Sequence, residues 1–261
     1  QEYQEIARYM QKLQKYALPY LPHPEIAVAW SFDNDRVIQY GSAQYHQTVR
    51  QNFVEVQRVF YDMNLDYNII GLKNRKQEYK LLLLPGYVLM SEEEAAEVRR
   101  FVEQGGIAIM TAYSAMVDEH SQVFSTPRPG RLGDVFGIRV AGFDRTGAMW
   151  KDFAEGAKIV EDEKGKRELL KVSAGEAFYI DVEYYEELEL HTAKEYAVFA
   201  DKGCCAVSVN MYGKGKAYYV AAEMNAELLK WLIKKITISD GLKEGMKVPE
   251  GIQAREIASG Q

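Results

Sequence analysis

Apolar residues recur at every third or fourth position in some stretches of the chain and form unbroken runs in others, and the two textures alternate. At the start, Ile6, Met10, Leu13 and Ala17 share one face of a helix that stops before Pro19. Pro22 and Pro24 predict a stiff connector. Residues 25–30 then carry, after Glu25, a short apolar run without alternation, as in a strand buried on both faces of a parallel sheet. After a polar loop, Val49, Phe53, Val56, Phe60 and Met63 lie on one face of a long helix, with Asn64 as its stop.

Residues 68–72 and 80–86 read as the next two strands, the second ended by Pro85 and Gly86. Ser91 and Glu94 form a capping-box pattern that opens a helix carrying Ala95, Val98 and Val102 inward. Gly105 and Gly106 close it, and residues 107–111 return to the sheet. Strands alternating with helices predict an α/β fold with a doubly wound, mostly parallel sheet. From about Val140 the segments shorten: 168–172, 177–182 and 196–199 predict a β-rich excursion. Residues 206–212 and 216–221, joined through Gly213, Lys214 and Gly215, predict an antiparallel hairpin at a sheet edge. Asn225 caps a last helix with Leu228, Leu229, Leu232 and Ile236 on one face. Beyond Gly241 the chain turns polar, and residues 248–257 read as a linker into another domain of a longer protein.

A chain of 261 residues, 47% of them hydrophobic, can fill a sizeable core, which excludes general disorder. With 32 Lys and Arg against 38 Asp and Glu, the net charge of −6 gives no reason to expect nucleic acid or an anionic lipid surface. No run approaches the roughly 20 apolar residues of a membrane span. Cys204 and Cys205 are adjacent, a poor geometry for a disulfide and too few ligands for zinc, which fits a reducing compartment such as the cytoplasm.

Candidate chemistry is sparse. Ser114 follows the fourth strand, where this architecture often holds a nucleophile, but Ala112 and Met116 do not make the G-x-S-x-G elbow, so it reads as a serine that hydrogen-bonds backbone. His23, His46, His120 and His191 have no ligand spacing, and His120 beside Asp118 and Glu119 reads as a solvated loop. Cys204 and Cys205 read as core packing, at most one of them facing a pocket. The segment from Gly213 to Lys216 lacks the helix and the Ser or Thr of a phosphate loop. Glu183, Glu186, Glu187 and Glu189 read as a solvated acidic face rather than a glycosidase pair. The aromatic content, 18 Tyr, 10 Phe and 3 Trp, suits a subunit contact or contacts to carbohydrate. No residue is assigned a catalytic, cofactor-binding or metal-ligating role.

Several of these pieces recur together in a known order. Leu81 to Pro85, Ser91 to Glu94, Phe101 to Gly106, Ser114 with Asp118 and Glu119, Pro129 to Leu132 with Phe136 and Gly137, and finally Asn210 to Tyr219 resemble the middle domain of the family 42 glycoside hydrolases, which are β-galactosidases. The resemblance spans roughly residues 25–242. It implies a trimerisation domain with a fold like the class I glutamine amidotransferases, flavodoxin-like, without their catalytic cysteine. It further implies a homotrimeric parent that hydrolyses terminal β-D-galactosides with retention, its catalytic glutamates in a preceding barrel. Residues 1–24 would then leave that barrel and residues 243–261 would enter a small β domain. Substrate would be met only through the parent, and no cofactor is implied. Family members often carry an acidic residue where this chain has Gly142. The rival readings are an amidotransferase-like hydrolase using Ser114, Cys204 or Cys205, and a carbohydrate-binding module using exposed Tyr184 and Tyr185.

Overall fold

The computed structural model describes residues 2–17, 24–39, 43–74, 78–146, 158–162, 165–249, 252 and 254. His23 and most of the expected linker at 248–257 lie outside them.

The first helix, α1 (Glu2–Ala17), forms as the spacing predicts, yet Ile6 and Met10 on its apolar face are 59% and 62% exposed. β1 (Ile26–Ala29) is buried along its whole length. The expected polar loop after it holds a helix, α2 (Phe32–Gln39), whose third amide, that of Asn34, donates to Ser31 Oγ at 3.1 Å. Asn34 and Ile38 are its only buried residues, so no apolar stripe marked it in the sequence. Next come α3 (Ala43–Asp62), β2 (Tyr67–Ile70) and β3 (Leu81–Leu84). The Leu run of β3 divides by parity, as a strand requires. Leu81 and Leu83 pack with Val56 and Phe60 of α3, whereas Leu82 and Leu84 pack with Val98 and Val102 of α4 (Glu92–Glu103). The capping box is present in full at Ser91 and Glu94.

β4 (Ile107–Thr111) and the short α5 (Gly133–Phe136) precede the β-rich segment: β5 (Ile138–Arg145), β6 (Lys158–Asp162), β7 (Gly165–Ser173), β8 (Ala177–Ile180), β9 (Tyr184–Leu190) and β10 (Lys194–Phe199). The chain closes with β11 (Cys204–Tyr212), β12 (Gly215–Val220) and α6 (Ala226–Asp240), the last capped by Asn225. Among the described residues no helix is long and apolar enough to cross a membrane.

The main sheet has the order β2-β1-β3-β4-β12-β11-β10-β7-β6, with β8 on β7. Its first five strands are parallel, and an antiparallel wing extends from β12. α3 and α6 pack on one face, α4 and α5 on the other. The result is a mixed α/β architecture around a parallel core. The β11–β12 hairpin is not at an edge. β12 is buried on both faces and pairs with β4 as well as β11, and β10 covers the far side of β11. Its turn docks on the end of α4, where Lys214 N donates to Glu103 O at 3.0 Å. Gly215 is needed there because a Cβ would stand 2.2 Å from the carbonyl oxygens of Val102 and Gly106.

Candidate functional site

In a doubly wound sheet the carboxyl ends of the strands converge on one rim, and ligands bind where the strand order reverses. Here the reversal lies between β1 and β3, and the loops after β1, β3 and β4 are held there by side chain to backbone bonds. Asn34 closes on Leu89, its Oδ1 accepting from the amide at 2.9 Å and its Nδ2 donating to the carbonyl at 3.0 Å. Thr111 Oγ1 accepts from Gly86 N at 2.8 Å. Ser114 is fully buried: its Oγ accepts from Tyr87 N at 3.0 Å and donates to Leu84 O at 3.2 Å. That is the backbone-bonding role the sequence suggested. The left-handed residues in this turn are Tyr113, at φ 67°, and Ala115, at φ 50°, so its strained positions flank the serine and the first of them is a tyrosine.

Tyr113 stacks on Tyr184 of β9, ring centroids 4.1 Å apart, and Tyr184 stacks in turn on Phe143 of β5 at 5.4 Å. Behind the stack lies Glu186, at 0% exposure. Arg128 Nη1 donates to its Oε1 at 2.7 Å, Tyr219 Oη to its Oε2 at 2.6 Å, and Tyr184 Oη to its Oε1 at 3.2 Å. Burial and then the Glu186 charge push the Tyr184 and Tyr219 hydroxyls up from their ordinary range. Burial opposes the Arg128 charge, but Glu186 and Tyr184 more than offset it and the guanidinium is held more firmly protonated.

Two expectations are overturned here. Glu186 is not part of a solvated face, although Glu183, Glu187 and Glu189 are exposed. Its countercharge comes from a residue 58 positions away, which periodicity along β9 cannot register. Tyr184 and Tyr185 are buried, not exposed; the exposed ring of this stack is Phe143, at 62%. Neither Arg128 nor Tyr219 is marked in the sequence as a partner of Glu186, and the one local hint is a lone arginine between Pro127 and Pro129.

Above this cluster opens a cleft of about 1180 Å³, floored by Tyr113 and Tyr184 and bordered by Asp33, Arg36, Phe143 and Arg145. None of the suggested nucleophiles faces it. Cys204 and Cys205 belong to β11; burial pushes both thiols up, Cys205 to about 12, opposite to an activated cysteine. His120 lies in a surface turn where Asp118 Oδ1 accepts from its amide at 2.9 Å, and His191 lies 4.0 Å from Glu189 on the surface. The side chain of His46 lies outside the described residues. Among the described residues no group of three or more His, Cys, Asp or Glu could hold a metal ion. Gly142 faces Glu187, whose Oε2 would be 3.3 Å from a Cβ there, so an acidic residue at this position would set like charges side by side.

Residues 25–243 match the family model of the beta-galactosidase trimerisation domain. The chain is 28% identical over 242 residues to beta-galactosidase BgaA of Planococcus sp. (strain 'SOS Orange'), covering 91% of this chain and 34% of that protein. It is 25% identical over 242 residues to beta-galactosidase Pbg of Clostridium perfringens, covering 89% and 33%. Its fold superposes on the beta-galactosidase from Bacillus circulans sp. alkalophilus with a TM-score of 0.79 at 21% identity, over 96% of this chain and 36% of that one. Gan42B, a GH42 beta-galactosidase, gives 0.74 at 24% identity, over 93% and 34%. The chain thus spans about a third of the length of the relatives it matches.

Proposed function

The chain belongs to the family of beta-galactosidase trimerisation domains, and from that membership we propose that it is the assembly module of a larger β-galactosidase and carries no catalytic residue. The observation that carries this reading is the family match over residues 25–243 in a chain that covers only 34% of its relative BgaA. The parent would hydrolyse terminal β-D-galactosides with retention, using glutamates of a preceding barrel. Copies of the module would hold three barrels in a closed ring through head-to-tail contacts, in which two different patches of each chain meet.

The module proper is residues 25–242. The exposed apolar face of α1 supports a role for residues 1–24 in joining it to the barrel, since a helix with such a stripe needs a partner. Residues 243–261 would lead on to a small β domain. We assign the parallel strands to the flavodoxin-like class that includes the glutamine amidotransferases, a reading supported by their order, β2-β1-β3-β4-β12. Tyr113 at the elbow, where such an enzyme would present its nucleophile, argues against the hydrolase alternative. Two free thiols support a cytoplasmic setting.

Light scattering over a range of concentrations tests the proposal, because three chains of 29.8 kDa are easily told from one. A trimer that leaves a chromogenic galactoside intact is the expected result. A chain that is monomeric both alone and in its full-length parent would refute it.

A further inference from the structure

The cleft at the β1/β3 reversal has a composition that narrows what it can hold. Its polar groups are of both signs. Asp33 and Arg36 are one turn apart on α2 and both exposed, and Arg145 stands at the end of β5. Among the described residues none of these three side chains has a hydrogen-bonding or ionic partner, unlike Glu119 on the same wall, which pairs with Arg131 at 2.6 Å. Phe143, which lines the same cleft, exposes a ring that stacks on Tyr184, itself stacked on Tyr113. Arg128, which donates to Tyr184 Oη at 3.1 Å, lies 5.8 Å from the Phe143 ring centroid.

An anion would be drawn by Arg36 and Arg145 but repelled by Asp33. An apolar ligand would take three charged groups out of water without pairing them, which is costly. A sugar meets every condition. Each hydroxyl both donates and accepts, so adjacent hydroxyls answer a guanidinium fork and a carboxylate alike. The C–H face of a pyranose is apolar and packs on an aromatic ring. The volume, about 1180 Å³, exceeds the roughly 300–1,000 Å³ of sites for single small molecules and leaves room for more than one ring.

We propose that this cleft binds a short neutral oligosaccharide, one ring stacked on Phe143 and its neighbours held by Asp33, Arg36 and Arg145. The site is assembled by the fold and asks nothing of the chain's oligomeric state.

The test is calorimetric titration of the full chain with lactose and a β-linked galactotriose, cellobiose serving for comparison. Saturable binding is expected, weakened about tenfold by Phe143→Ala and by Arg36→Ala, which corresponds to one decade in Kd. Both side chains are exposed, and thermal melts of each variant verify folding. Met211→Ala, at an exposed position of β11 that does not line the cleft, should leave binding unchanged. Absence of saturable binding overturns the proposal, as does binding that survives both cleft variants. Loss of self-association in Phe143→Ala without any sugar binding would also overturn it, and would make the cleft a contact between copies.

Discussion

Arg128→Met removes the countercharge of Glu186 while keeping much of the side chain's length. At 2.7 Å and an effective dielectric of about 20, the two charges attract by about 6 kcal/mol. Part of that is recovered in the variant, because Tyr219 and Tyr184 still donate to the carboxylate and the vacated position, 20% exposed, admits water. The expected loss is therefore about 3 kcal/mol, the lower end for an orphaned buried charge. For a chain of this size that lowers Tm by about 6–12 °C. Urea unfolding followed by tryptophan fluorescence measures it. A second change decides the cause: Glu186→Gln in the Arg128→Met background removes the stranded charge but keeps an acceptor for Tyr219, so the double variant should be more stable than the single one. A single variant within about 1 kcal/mol of the parent protein, or a double variant less stable than Arg128→Met, would refute the account.

Gly215→Ala forces a methyl group toward two backbone oxygens that cannot swing aside, so it should cost at least about 1–3 kcal/mol, read as a drop in the urea midpoint. The glycine at Gly203 has open space around it, and alanine there meets only the strain of φ 66°, about 1 kcal/mol. With Ellman's reagent at neutral pH the native protein should show no fast-reacting thiol and the denatured protein two, because burial raises both thiols. Rapid native labelling of Cys205 would contradict its placement. At alkaline pH the raised hydroxyls of Tyr184 and Tyr219 hold their protons in the folded state after the unfolded chain has lost them. Their contribution to stability is complete below about pH 10 and declines as pH rises past it. A stability curve flat through that range would count against their burial.

Much of the fold was legible because burial on both sides of a parallel strand leaves a local mark. The Leu run at β3, the capping box at Ser91 and Glu94 and the Asn225 cap each act within a few residues, so the sequence states them directly. α2 was missed because its inward residues are an asparagine and one isoleucine. The hairpin was recognised but misplaced, since hairpin chemistry specifies a turn and not which strands flank it; β4 and β10 come from distant segments.

The site divides in the same way. Ser114 could be discounted from its neighbours alone, whereas the left-handed elbow at Tyr113 needed the loops after β3 and β4 to be seen stapled together. Glu186 read as one of four surface acids because charge on a strand is solvated unless something answers it, and Arg128 answers from another part of the chain. By itself the sequence determined the alternating elements, their caps and turns and the family to which they point, all carried by interactions of short range along the chain. Only the tertiary structure decided which charges are buried in pairs, which aromatics are platforms and which are core, and where a cleft opens, because those depend on residues that meet only when the sheet has closed.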